Sequence, residues 1–164
     1  MSTEPTTLTQ NQIAETDFEK RRGISRVEVR DGYTQVHVTG LTEPIAKSRL
    51  QVLEQVSTAK VSLDFLKLTP TGMSFVIPSD RTSVIQSTFD AAKLQFQMVT
   101  DRSIVLVHAV NMRDEEGMVA GIVRRTISAG IAVDHVTDMH DRMLIILPKE
   151  NATKLQQLIE KEVA

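Results

Sequence analysis

The chain has 164 residues, with Lys+Arg 19 against Asp+Glu 21, one tyrosine, no tryptophan and no cysteine. The lack of cysteine removes disulfides, thiolate nucleophiles and thiolate metal sites together, and nothing more basic than Lys20-Arg21-Arg22 offers the concentrated basic face that nucleic acid requires. The first residues show no charged segment leading into an apolar one, and no apolar run approaches the ~18 residues of a membrane span; a cytoplasmic protein with neither nucleic-acid nor membrane partners is expected.

In chain order, residues 1–19 are polar and rich in Thr, Gln and Asn, the composition of a flexible tail. From Gly23 the pattern alternates through Ile24, Val27 and Val29, reaches Asp31-Gly32, and resumes at Val36 and Val38. An Asp-Gly pair between two such runs is a hairpin signal. Pro44 to Ala59 carries Ala46, Leu50, Leu53 and Val56 as the stripe of an amphipathic helix. Strands are predicted at Val61–Leu68 and Gly72–Ile77, followed by a helix that Ser79-Asp80 would cap and that Val84, Ile85, Phe89 and Ala92 continue. A short strand at Leu94–Val99 comes next.

The order then repeats: strand Ile104–Val110, helix Gly117 to Ala129 closed by Gly130, strands Ile131–Thr137 and Arg142–Leu147, and a helix from Asn151 through Leu155, Leu158 and Ile159. The repetition extends to residues. Val61-Ser62-Leu63-Asp64-Phe65 returns as Ile131-Ala132-Val133-Asp134-His135, and Met73-Ser74-Phe75-Val76-Ile77-Pro78 returns as Met143-Leu144-Ile145-Ile146-Leu147-Pro148. Val36-His37-Val38 matches Val105-Leu106-Val107, one residue out of step. A duplicated β-α-β-β-α unit follows, with two helices on one face of an antiparallel sheet. The second unit lacks a closing strand, and Gly23–Val29 is the segment free to supply it.

These features resemble the tandem ACT domains of the regulatory region of aspartokinases, and in particular that enzyme's free-standing regulatory subunit. The opening Gly23-Ile24-Ser25-Arg26-Val27-Glu28-Val29, followed by Thr34-Gln35-Val36-His37-Val38-Thr39-Gly40-Leu41, resembles the family's first two strands. The Ile-x-Ile-Asp-like segments Val61–Asp64 and Ile131–Asp134, and the loop Val107–Gly117 with its Met and Gly, match as well. The likeness runs from about Gly23 to the C-terminus. It implies an α+β fold of two ferredoxin-like βαββαβ modules packed in tandem, one over residues 33–100 and the other over 23–32 plus 101–164. In this arrangement the opening strand joins the second module's sheet, against the Asp31-Gly32 hairpin.

The family's Asp-x-Pro-Gly loop before the first helix is replaced here by Thr42-Glu43-Pro44-Ile45-Ala46-Lys47, so no glycine lets a ligand approach the backbone there. The second module keeps Gly117, preceded by Asn111-Met112-Arg113-Asp114-Glu115-Glu116. A glycine-opened helix start offers N–H groups to a carboxylate, and Asp114 and Arg113 complement a zwitterion. The ordinary alternative is a turn with acidic side chains compensating the helix terminus. Met112, Arg113, Asp114, Gly117, Ile131 and Asp134 are thus the candidate ligand-binding residues.

Asp134-His135-x-x-Asp138-x-His140-Asp141 has metal-ligand chemistry, yet strand alternation splits its side chains between two faces, and no metal or other cofactor is expected. No Ser-His-Asp context, phosphate loop or His-Glu-x-x-His helix occurs, so no catalytic residue is assigned. The expected protein is a non-catalytic homodimer that senses an amino acid and modulates an aspartokinase catalytic subunit. The competing reading is an ACT-like interaction module that has lost its effector.

Overall fold

The computed structural model describes residues 23–110, 112 and 115–163. The tail expected over 1–19 lies outside the described residues. The chain runs β1 (Gly23–Thr39), α1 (Ile45–Thr58), β2 (Phe65–Thr69), β3 (Gly72–Pro78), a 3-10 turn (Ser79–Arg81), α2 (Thr82–Ala91), β4 (Gln95–Val110), α3 (Met118–Ser128), β5 (His135–Asp138), β6 (Arg142–Pro148) and α4 (Lys149–Val163). Its strands form one antiparallel sheet in the order β2-β3-β1-β4-β6-β5. No helix among the described residues is long and apolar enough to cross a membrane.

Two long strands organise this sheet. Asp31-Gly32 makes no hairpin; β1 continues through it, with Val27 opposite Val107 and Val29 opposite Val105 on one side of the irregularity, and Val36 opposite both Phe75 and Met98 on the other. Gly32 takes φ 83° and the Asp31 carboxylate accepts a hydrogen bond from the Ser103 hydroxyl, so the pair serves as a bulge that re-aims the strand. The segments expected at 94–99 and 104–110 are likewise one strand, Gln95–Val110, bent where Asp101 takes φ 54°. Residues 23–30 therefore pair with the strand after the bend, as the missing-strand argument requires.

The repeat is visible in backbone hydrogen bonds. Ala59 N donates to Gln55 O, Lys60 N to Ser57 O and Val61 N to Val56 O, and the same three bonds recur seventy residues on, from Ala129, Gly130 and Ile131 to Arg125, Ile127 and Thr126. These bonds correct the expected strand starts: Val61 and Ile131 close the helix before them through the left-handed Lys60 (φ 55°) and Gly130 (φ 71°), so pairing begins only at Phe65 and His135. Ser79-Asp80 forms a 3-10 turn instead of capping α2, because the Ser79 hydroxyl is engaged by Thr34 Oγ1 at 3.0 Å. The last helix starts at Lys149, directly after Pro148, two residues before the expected Asn151.

Alternation along the strands sends one set of side chains under the helices. Val36, Val38, Met73, Phe75 and Ile77 pack with Val52, Val56, Ile85 and Phe89, whereas Val105, Val107, Met143, Ile145 and Leu147 pack with Ile122, Ala152, Leu155 and Ile159. The first group is aromatic, with Phe89 edge-on to Phe75 at 6.2 Å and to Phe96 at 5.4 Å. The second is aliphatic. The opposite side chains Val76, Ile104, Leu106, Leu144 and Ile146 form a third buried cluster. The sheet curls over this cluster until its outer strands approach, the Phe65 and His135 rings lying 4.4 Å apart.

Candidate functional site

Helix α3 begins at Gly117, whose φ of 79° is left-handed, and no side chain caps the start. Met118 N reaches Glu115 O at 3.3 Å. Ile122 and Thr126 face the core, and the helix leaves Ile127 65% exposed on its outer side. Between that side and β5 lies a cleft of about 850 Å³ lined by Met112, Glu115, Glu116, Gly117, Val119, Ala120, Val123, Arg124, Ile127, Ser128 and Asp138. A Cβ added at Gly117 would meet nothing within 4 Å, so the backbone there is open to approach. The cleft thus joins helix N–H groups, an apolar wall and charges of both signs.

Of the sequence candidates, Met112 and Gly117 line this cleft, although most of Met112 is buried in the core. Arg113 and Asp114 lie outside the described residues. Two candidates do not join the cleft. The Ile131 side chain is buried in the core beneath α3, because its amide closes that helix. Asp134 borders a separate cleft and pairs with Arg102 Nη1 at 3.2 Å.

At the matching loop of the first half, the helix start is occupied by its own chain. Ile45 N donates to Glu43 Oε2 at 3.1 Å, and Ser48 Oγ donates to Thr42 O at 2.7 Å. The Glu43 carboxylate thus already accepts from an amide at this helix start.

Polar groups that sequence reasoning did not bring together meet where the sheet curls. His37 Nδ1 lies 2.7 Å from Ser74 Oγ. Burial holds the His37 pKa below its ordinary value, opposed by the Asp134 charge; burial, with Lys67 nearby, lowers that of His135. Arg102 Nε has no hydrogen-bond partner and is shut from solvent, leaving Asp134 as the guanidinium's charge partner. Strand alternation shows which face each residue takes; it cannot show that the two ends of the sheet meet. Toward the other end, Glu28 is held below the usual carboxylate range, chiefly by its hydrogen bond from Arg30, and His108 Nε2 lies 3.5 Å from it.

No family model matches the chain, and no curated protein does. Solved structures do. The ligand-free regulatory subunit of aspartate kinase from Thermus thermophilus superposes with TM-score 0.74 at 15% identity, over 84% of this chain and 96% of that one. A structure of aspartokinase alpha and beta subunits gives TM-score 0.71 at 16% identity, over 85% of this chain and 97% of that one. Aspartate kinase from Clostridium acetobutylicum, described as an allosteric enzyme, gives TM-score 0.76 at 11% identity, over 88% of this chain and only 36% of the enzyme. At these identities the likeness establishes the fold: a mixed α/β chain with a curled antiparallel sheet, similar over 84% of its length to the regulatory subunit of aspartate kinase.

Proposed function

We propose that this chain is a non-catalytic regulatory protein of the aspartokinase type, which binds an amino-acid effector at the start of α3 and changes how a catalytic partner is held. The observation that carries the reading is near-complete coverage of a free-standing regulatory subunit, 96% of its length, by a chain whose own halves interlock through β1 and β4. The architecture is read as two ferredoxin-like ACT modules, 33–100 and 23–32 with 101–164, each completed by part of a shared strand. Such an exchange makes the halves mechanically dependent. A ligand with different affinity for two arrangements of the halves would shift their populations, and only that difference can act on a partner.

The exposed side chains of Leu50 on α1, Leu66 and Leu68 on β2, Ile127 on α3 and Met139 after β5 support a homodimer that covers them. A second reading, an interaction module without effector, draws support from the self-occupied α1 start at Glu43. Thermal melts in each of the twenty amino acids separate the two. A specific stabilisation that Gly117→Ala reduces supports sensing; no stabilisation by any of them leaves the interaction module.

A further inference from the structure

Beneath the C-terminal half of α3 lies a second cleft, of about 430 Å³, and its origin can be read from the repeat. Val123, Val133, Val136 and Ile145 form its apolar walls. Seventy residues earlier, the matching positions are Leu53, Leu63, Leu66 and Phe75, each larger. The repeated hydrogen bonds at the ends of α1 and α3, and those from Asp64 N to Val76 O and Asp134 N to Ile146 O, establish that these positions correspond. The smaller side chains at these four sites widen the space beneath α3, and the larger Ile127, at the position of Ser57, borders it from the helix.

The charge at the mouth comes from the other half. Lys67, on β2, lines the cleft and forms no hydrogen bond or ion pair among the described residues. Asp134 also lines it, but Arg102 offsets its charge at 3.2 Å. The uncompensated charge is therefore positive, above an aliphatic floor.

We propose that this cleft is a binding site, separate from the α3 start, for a small branched aliphatic carboxylate: its chain on Val123, Val133, Val136 and Ile145, and its carboxylate on the Lys67 ammonium. Because Lys67 belongs to β2 and the walls to α3, β5 and β6, an occupant ties the two curled ends of the sheet together. The shared chemistry admits a simple acid or its α-amino derivative, and the test separates them.

Methyl-detected NMR titrations of the full chain with 4-methylpentanoate, and separately with leucine, test the site. Saturable shifts at the Val133 and Val136 methyls, which line this cleft and not the one at the α3 start, are expected with 4-methylpentanoate at millimolar concentration. Lys67→Gln should weaken this binding by about tenfold or more, the scale of one ion pair with a carboxylate. Val133→Leu with Val136→Leu, which restores residues the other half already carries, should abolish it while the melting temperature is kept. Equal binding of both probes identifies the carboxylate and chain as sufficient; leucine binding alone overturns the proposal, because the ammonium would then be required. Absence of shifts with either probe also overturns it, as does undiminished binding by the Lys67 and the filled variants. Gly117→Ala should leave these titrations unchanged, so failure here is distinguishable from failure at the α3 start.

Discussion

Phe65 and His135 occupy the same position in the two copies of the repeat, and they meet each other: their ring centroids are 4.4 Å apart with the planes inclined at 49°. The two copies thus touch at equivalent positions of their outer strands. One member of the pair is permanently apolar, the other titrates, and Lys67 stands close enough to disfavour a second positive charge.

The His135 pKa lies below its ordinary 6.5, from burial first and Lys67 second. The folded state thus takes up fewer protons than the unfolded state, and the associated stability is present above pH 6.5 and lost as pH falls from there toward the folded value. His37, also lowered, acts in the same direction. His135→Phe should therefore flatten the decline of melting temperature from pH 7.5 to about pH 5.5, relative to wild type. Parallel curves for the two proteins would show that the His135 environment does not favour the neutral ring.

Arg102 and Asp134 make a predictably unequal pair. The Arg102 side chain is 16% exposed and that of Asp134 31%, so loss of the carboxylate leaves the more buried charge without its partner. Asp134→Ala is expected to cost about 1–2 kcal/mol in urea unfolding, after allowing for solvent screening, and Arg102→Met less, because an apolar stem replaces the desolvated guanidinium. Equal losses would indicate that the ion pair itself, and not the stranded charge, dominates.

Three glycines should respond differently to alanine. Gly121 lies inside α3 with open space at its Cβ position, and Gly121→Ala should stabilise by about 0.5–1 kcal/mol. Gly117 has equal space but φ 79°, and Gly117→Ala should destabilise by about 1 kcal/mol from backbone strain. A valine there would be more strained, which makes alanine the cleaner probe of backbone approach. At Gly72 a Cβ would run into the Val38 carbonyl oxygen across the sheet, so Gly72→Ala should cost the most. Thermal melts give the order directly, and a Gly72 variant as stable as wild type would contradict the register of β1 with β3.

The exposed edge formed by Leu66 (44% exposed) and Leu68 (53%) predicts self-association. Light scattering at micromolar concentration should give the mass of a dimer, and Leu66→Lys with Leu68→Lys should shift it toward the monomer of 18.3 kDa. A monomer in the unmodified protein would rule out this edge as a dimer contact.

Hydrophobic period was enough to place four helices and the strands at 72–78 and 142–148 to within a few residues, because those segments bury one face or both and each residue's direction follows from local geometry. The repeat also showed that the second unit lacked a strand and that 23–29 could supply it. Local pattern misjudged Asp31-Gly32, whose turn chemistry suits a hairpin; only competition with the strand at 104–110 made it a bulge. Val61 and Ile131 look like strand residues, yet each completes the helix before it through a hydrogen bond that apolar spacing does not encode.

The candidate site divides in the same way. Gly117 was legible because a left-handed helix start calls for glycine. Ile131 and Asp134, near it in pattern, lie elsewhere: one is drawn into the core and the other toward Arg102. The sequence alone determined the duplication, the alternating faces and the residues available to each half. Tertiary structure decided that the sheet curls until Phe65 meets His135 and Lys67 reaches the cleft of the opposite half, because that closure depends on the bends at Gly32 and Asp101 and on burial of the face shared by Val76, Ile104 and Ile146.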